Sequence, residues 1–237
     1  MKIRPFAPVL GLVLALSGAV SGAIAGDKAV VVELFTSQGC SSCPPADALL
    51  NELSGRADVI PLALHVDYWD YIGWADEFAD PRFTKRQKAY ATAAGRHMVY
   101  TPQMIIDGVD SIVGAKGMKL GELIEQHRRI ATKADLDVTW RAGVAQIVVR
   151  PLAGTPRGKY AVHLVRFEPR RETKITRGEN AGKSIVYSNI VTDWTVLGTW
   201  DGQGELALTA ETPGNDRSVI LVQDSAPGAI LAAARAE

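Results

Sequence analysis

Residues 30–50 read VVVELFTSQGCSSCPPADALL, and this stretch decides the fold. Val30, Val31, Val32, Leu34 and Phe35 form the β-branched and aromatic run expected of a strand buried on both faces. Ala46, Leu49, Leu50 and Leu53 then recur at helical spacing, and Gly55 stands where the helix should stop. The polar turn between them carries Cys40 and Cys43, the two cysteines of the chain. A C-x-x-C between strand and helix is a redox signature. A thiolate there is stabilised by unpaired backbone N–H groups and by the positive end of the helix dipole. Cys40, nearer the open turn, is the expected nucleophile, and Cys43, on the first helical turn, the expected resolving thiol. Gly39 leaves the backbone free to bend, and Ser41 and Ser42 are small enough to admit a partner sulfur. Pro44 and Pro45 are tolerated only in the first helical turn, so they draw the regular start toward Cys43 and leave Cys40 slightly outside it.

Outward from this stretch, residues 59–66 predict a second strand, which ends in the aromatic run Asp67-Tyr-Trp-Asp-Tyr-Ile-Gly-Trp74. Asp80-Pro81 opens a helix that stops at Gly95. Residues 99–106 and 109–113, joined by Asp107-Gly108, predict a hairpin, and an amphipathic helix follows over 117–131. Two strand–helix–strand steps predict a parallel core with an antiparallel edge. From residue 135 the texture changes to short alternating runs at 136–140, 145–149, 160–167, 183–190, 194–200, 205–210 and 218–223. Their spacing, with no clear helix between, predicts a small all-β, sandwich-like unit. The expected organisation is a signal peptide at 1–25, an α/β domain at 26–133 and an all-β domain at 134–237. Residues 231–235 fit a last strand or a tail.

The signal reading rests on Lys2 and Arg4, an apolar run over residues 6–20 and Ala23-Ile24-Ala25 as a cleavage site. The run is short for a membrane span and is broken by Pro8 and Ser17, so no membrane insertion is expected after cleavage. The whole chain carries 26 basic and 26 acidic residues; losing Lys2 and Arg4 leaves 24 against 26. That balance gives no reason to expect nucleic acid as a partner. The expected location is the periplasm or the extracellular space. In such a compartment two cysteines usually make a structural disulfide, but a Cys40–Cys43 bridge closes too small a loop to be a good staple. Chemistry is the better reason for it.

Phe35-Thr-Ser-Gln-Gly-Cys-Ser-Ser-Cys43, with Thr101-Pro102 before a strand and hairpin, resembles the thioredoxin-like fold over about residues 29–133. The resemblance implies a βαβαββα order and a cis-proline facing the disulfide, with its neighbouring backbone pairing with bound substrate. Thr101 and Pro102 take that position. More closely, the F-T-S-Q-G-C-S-S-C-P-P-A-D, H-V-D-Y-W-D and G-E-N-A-G segments, at residues 35–47, 65–70 and 178–182, resemble an exported bacterial family catalogued only as a domain of unknown function.

The remaining candidates carry two readings each. His65 and Asp67 end a predicted strand two residues apart, on one face, where they can assist proton transfer; a His satisfied by local hydrogen bonds is the alternative. Glu33, inside the apolar strand, is either a buried proton acceptor for the dithiol or turned to solvent. Tyr68, Trp69, Tyr71 and Trp74 either form a docking platform, with Trp69 contacting substrate, or pack under a loop. His97 reads as a surface residue, His127 and His163 as structural, and Arg166, Arg170, Arg171 and Lys174 as a solvated strand face. No metal site and no cofactor are expected, since structural zinc needs four Cys or His ligands. The leading expectation is thiol–disulfide exchange on exported proteins bearing thiols or disulfides. A non-catalytic binding module and a copper(I) carrier using the two thiolates are the alternatives.

Overall fold

The computed structural model describes residues 29–236; the signal segment expected at 1–25 lies outside the described residues. The first half of the chain runs β1 (Val30–Thr36), α1 (Pro44–Leu53), β2 (Val59–His65), α2 (Pro81–Ala93), β3 (Gln103–Ile106), β4 (Asp110–Val113) and α3 (Gly117–Arg128). The second runs β5 (Ala134–Arg141), β6 (Val144–Pro151), β7 (Tyr160–Lys174), β8 (Ser184–Trp200), β9 (Leu206–Glu211), β10 (Arg217–Asp224) and β11 (Ile230–Arg235). The protein is thus mixed α/β and dominated by sheet, with eleven strands and three α-helices among the described residues.

All seven residues of β1 are buried, which explains its unbroken apolar pattern. Val30, Val32 and Leu34 pack against Ala46, Leu50 and Leu53 of α1 and Leu120, Leu123 and Ile124 of α3. Val31 and Phe35 face the other way, onto a cluster that includes Phe83 and Tyr90 of α2. Each fully buried side chain of this size contributes about 1.5–3 kcal/mol by leaving water. Pro81 opens α2 behind Asp80, whose carboxylate accepts the Arg82 amide at 2.7 Å.

Eight strands form one sheet in the order β11-β10-β7-β8-β2-β1-β3-β4. β1 and β2 are parallel over their whole length, but β3 runs antiparallel to β1. The expected parallel core with an antiparallel edge holds for β1 and β2 and for the β3–β4 hairpin, and is corrected at β3, which is not parallel to β1. After α2 the chain needs residues 94–102, which are neither helix nor strand, to cross back, and it enters the sheet from the end where the C-x-x-C turn lies. β5, β6 and β9 form a second sheet that covers one face of the second half. Residues 231–235 belong to β11 at the sheet's edge.

Residue 133 falls in the short connection between α3 and β5, while the large sheet itself continues across the two halves. The strands meet at a single register pair, Ala63 in β2 with Ile190 in β8. Runs expected as two strands at 183–190 and 194–200 form one long strand, because β7 pairs along nearly all of it with two bulges. The β7–β8 hairpin therefore reaches past the sheet and brings its tip, residues 175–183, to the C-x-x-C turn.

Candidate functional site

Cys40 and Cys43 form a disulfide with Cα atoms 5.4 Å apart. Cys43 is the N-cap of α1, and its carbonyl accepts the amides of Ala46 and Asp47 at 2.8 and 3.1 Å. The turn closes on itself through Cys43 N–H to Cys40 O, 3.2 Å, and Cys40 N–H to Ser37 O, 3.1 Å. Cys40 is 2% exposed and Cys43 0%, whereas Ser41 and Ser42 are exposed. The pair is more enclosed than an open turn implies, because the residues on both sides of it are held from below.

Four of the expected site residues converge on the rim. The Trp69 indole N–H donates to Thr101 Oγ1 at 2.7 Å, and Ser42 Oγ reaches the Thr101 carbonyl at 3.5 Å and Cys40 Sγ at 3.4 Å. The Thr101–Pro102 peptide is cis. Gly39 lies close against Trp69: a Cβ would meet Trp69 Cβ at 3.2 Å and its carbonyl oxygen at 3.3 Å, so a side chain there would push Trp69 back by a few tenths of an ångström. The aromatic run divides between the two readings: Trp74 donates to Gln38 Oε1 at 2.8 Å and Tyr68 to Gln87 Oε1 at 3.1 Å, while Tyr71 is 81% exposed.

Beneath the pair sits a polar cluster that only His65 represented in the sequence reading. Asp47, one helical turn after Cys43 and on the same side of α1, is buried and accepts Thr36 Oγ1 at 2.8 Å. Burial raises its pKa to about 7, against the opposing pull of the His65 charge and the Thr36 hydrogen bond. His65 Nδ1 lies 2.7 Å from Asp76 Oδ2, both side chains fully buried. Burial disfavours the imidazolium, yet Asp76, then Asp47 and Glu77, outweigh it and hold the His65 pKa above its ordinary value. Asp76 stays below its ordinary value although burial pushes it up, because His65 and the Gln38 and Phe78 amides favour the carboxylate. Asp47 Oδ2, His65 Nε2 and the Tyr187 hydroxyl are buried with no hydrogen-bond partner among the described residues. The Tyr187 ring contacts His65 edge-on at 5.0 Å between centroids.

Two proton-transfer candidates are corrected. Glu33 is buried, but on the α2 face of β1, where Arg86 binds it at 2.6 and 2.9 Å and the Tyr90 hydroxyl at 2.6 Å. It is committed to a buried ion pair that also ties Arg86 to Gln223 of β10 and stacks it 3.8 Å over the Trp194 ring. Asp67 does not share the face of His65, because β2 ends at His65 and the chain turns toward α2, where Asp67 accepts Thr84 Oγ1 at 2.5 Å. His97 is exposed, His127 is held by Asp107 and Asp110, and His163 accepts the Trp194 indole at 3.0 Å. Of the basic run, Arg170, Arg171 and Lys174 are exposed and Arg166 half-buried. No group of three or more His, Cys, Asp or Glu side chains comes together as a metal site among the described residues.

Asp47, Asp76, Tyr187 and Asn180 were missed. Asp47 had a readable signal: a carboxylate at Cys43 plus four shares a helical face with Leu50 and is carried indoors with it. Asp76 had none, since it lies in a loop. Asn180, from the tip of the β7–β8 hairpin, is 1% exposed and donates to the carbonyls of Gln38 and Cys40, each at 2.9 Å.

The comparisons agree with this geometry at the level of fold. The profile of a family described as a protein of unknown function (DUF1223) matches residues 31–223. The crystal structure of protein AGR_C_4864 from Agrobacterium tumefaciens superposes with a TM-score of 0.74 at 31% identity, covering 87% of this chain and 92% of that one. HBP35 of Porphyromonas gingivalis superposes with a TM-score of 0.62 at 15% identity, covering 89% of this chain and 75% of that one, a likeness of fold alone. No curated protein sequence matches the chain.

Proposed function

The chain belongs to the DUF1223 family, and we propose that it is an exported thiol–disulfide oxidoreductase with a thioredoxin-like first half. One observation carries the reading: the Cys40–Cys43 disulfide stands at the N-terminus of α1, with the buried Asp47 carboxylate one helical turn beyond Cys43. The parallel β1–β2 pair, the antiparallel β3–β4 edge and Thr101-Pro102 beside the turn support the thioredoxin-like assignment. The signal-like residues 1–25 support export. Among the described residues no helix is long and apolar enough to cross a membrane.

The substrates are exported proteins with thiols or disulfides. In the oxidised protein a substrate thiolate attacks Cys40 Sγ. A substrate–Cys40 bond forms, the Cys40–Cys43 bond breaks, and its electron pair leaves on Cys43. Asp47, holding a proton near pH 7, supplies it to the Cys43 sulfur. A second substrate thiolate attacks the substrate sulfur of the mixed disulfide, closing a substrate disulfide and expelling Cys40 as a thiolate at the entrance of α1. Two electrons have then passed from the substrate dithiol to the pair, and the reverse sequence reduces a substrate. Thr101 and Pro102 line the side of approach, and Trp69 fixes Thr101. His65 and Asp76 act as a fixed charge pair beside Asp47 that tempers its rise.

Equilibration of the purified protein with a graded glutathione buffer tests the reading. Reversible, two-electron exchange lost in Cys40→Ser is expected. A disulfide that never exchanges would instead leave the burial of the pair as the mark of a non-catalytic binding module.

A further inference from the structure

The tip of the β7–β8 hairpin, with Gly178-Glu-Asn-Ala-Gly182, is built to present Asn180. Gly178 has φ +76° and approaches Trp74 so closely that a Cβ would lie 3.1 Å from Trp74 Cβ. Gly182 N–H returns to Ile175 O at 2.8 Å, and Lys183 N–H to Asn180 O at 3.1 Å. Folded this way, the tip buries the Asn180 carboxamide under the C-x-x-C turn. Its Nδ2 donates to Gln38 O and Cys40 O, while its Oδ1 accepts the ammonium of exposed Lys183 at 2.8 Å. The chain of contacts runs from a surface cation, through an amide, to the carbonyl of Cys40.

We propose that Asn180 and Lys183 are positioning residues for Cys40, supplied by the second half of the protein, and that together they favour its thiolate. The inference rests on the reading of Cys40 as the exchanging thiol. Two backbone carbonyls present their negative ends beside the Cys40 turn. An amide donor on both withdraws that negative potential, and a cation on the amide oxygen polarises it further, as hydrogen bonds in series do. Cys40 lies slightly outside the helix proper, so the dipole of α1 is helped from a second direction. The other charged groups tied to the turn are Asp76, in the loop after β2, whose carboxylate accepts the Gln38 amide at 2.8 Å, His65 on β2, which lies 2.7 Å from Asp76, and Asp47 on α1, one helical turn beyond Cys43.

The test measures the pH dependence of Cys40 alkylation by iodoacetamide in the full chain, in a Cys43→Ser background that leaves one thiol. Asn180→Ala is expected to lower the rate at pH 6 about tenfold, as a thiol raised by one unit loses thiolate. Lys183→Gln should lower it about threefold, and Lys183→Arg should restore it, by the same thiolate count. With both cysteines present, Asn180→Ala should shift the glutathione equilibrium toward the disulfide by up to about tenfold, close to 30 mV. Should Asn180→Ala fail to fold, Lys183→Gln at its exposed position decides the matter. Titrations of both variants within about twofold of the parent would overturn the proposal and leave the tip as packing alone. A wild-type protein that exchanges with no thiol would sink the oxidoreductase reading instead, and the alkylation profile reports on Asn180 in either case.

Discussion

Replacing Asp47 by Asn should make the protein more stable, and only above a definite pH. Asp47 is 3% exposed, and its pKa rises from 3.8 to about 7 because burial penalises the carboxylate. Below pH 4 the carboxyl is protonated folded and unfolded, and its titration contributes nothing. Between about pH 4 and pH 7 the unfolded chain releases the proton and the folded chain keeps it, so stability falls as pH rises. Above pH 7 both states are ionised and the full destabilisation remains. Three units at 1.36 kcal/mol each give about 4 kcal/mol. The raised pKa of His65 acts in the same direction: its contribution is complete below the unfolded value near 6.5 and is lost as pH rises through the folded value. Asp47→Asn also removes part of the pull that raises His65, so the difference between wild type and variant reports Asp47 together with its coupling to His65. Urea unfolding of the oxidised proteins at pH 4, 5.5, 7 and 8.5 should show a difference that opens from near zero toward about 4 kcal/mol in favour of the variant. A difference constant within about 1 kcal/mol across that range would refute the buried, titrating carboxylate.

Three further outcomes follow from the same geometry. Cys43→Ser should accumulate a mixed disulfide on Cys40 with a peptide disulfide substrate, seen as an intact-mass adduct, whereas Cys40→Ser should form none; adducts on both would deny the assigned order. Glu33→Gln strands the Arg86 charge, whose side chain is only 11% exposed, and should cost about 3–5 kcal/mol in denaturant unfolding while leaving the glutathione equilibrium unchanged; a shifted equilibrium would restore Glu33 to the site. Trp69→Phe removes the bond to Thr101, worth about 0.5–1.5 kcal/mol, and should raise KM for a protein dithiol roughly two- to tenfold without altering the glutathione equilibrium.

The opening stretch was legible because its two signals do not compete. β1 is apolar without a break since both its faces are covered, and α1 takes over where the prolines allow it. Thr101-Pro102 was legible as a partner of the turn only through the resemblance to the thioredoxin-like fold, whose proline element it matches in sequence order and at a strand start. The direction of β3 was not, since hydrophobic pattern is the same for either direction and only the path of residues 94–102 decides it. Glu33 was visible as an anomaly in β1, but its partner Arg86 is 53 positions away on a helix whose own pattern gives no hint of the pairing. Asp67 misled because alternation was extended two residues beyond the true end of β2. The hairpin was read as separate short strands because Thr192 and Asp193 interrupt the apolar pattern of β8, and without its length Asn180 had no route to Cys40.

The long hairpin also sets an order of events. Asn180 follows Cys40 by 140 positions, and the Gln38 carbonyl waits for the same amide. A chain synthesised from its N-terminus therefore exposes both cysteines, β1 and α1 well before the residue that clamps their turn exists. Contacts of such sequence separation close late in folding. Until β7 and β8 have paired, the cysteines belong to a loop without its Asn180 hydrogen bonds, and the clamped turn arrives only with the completed hairpin.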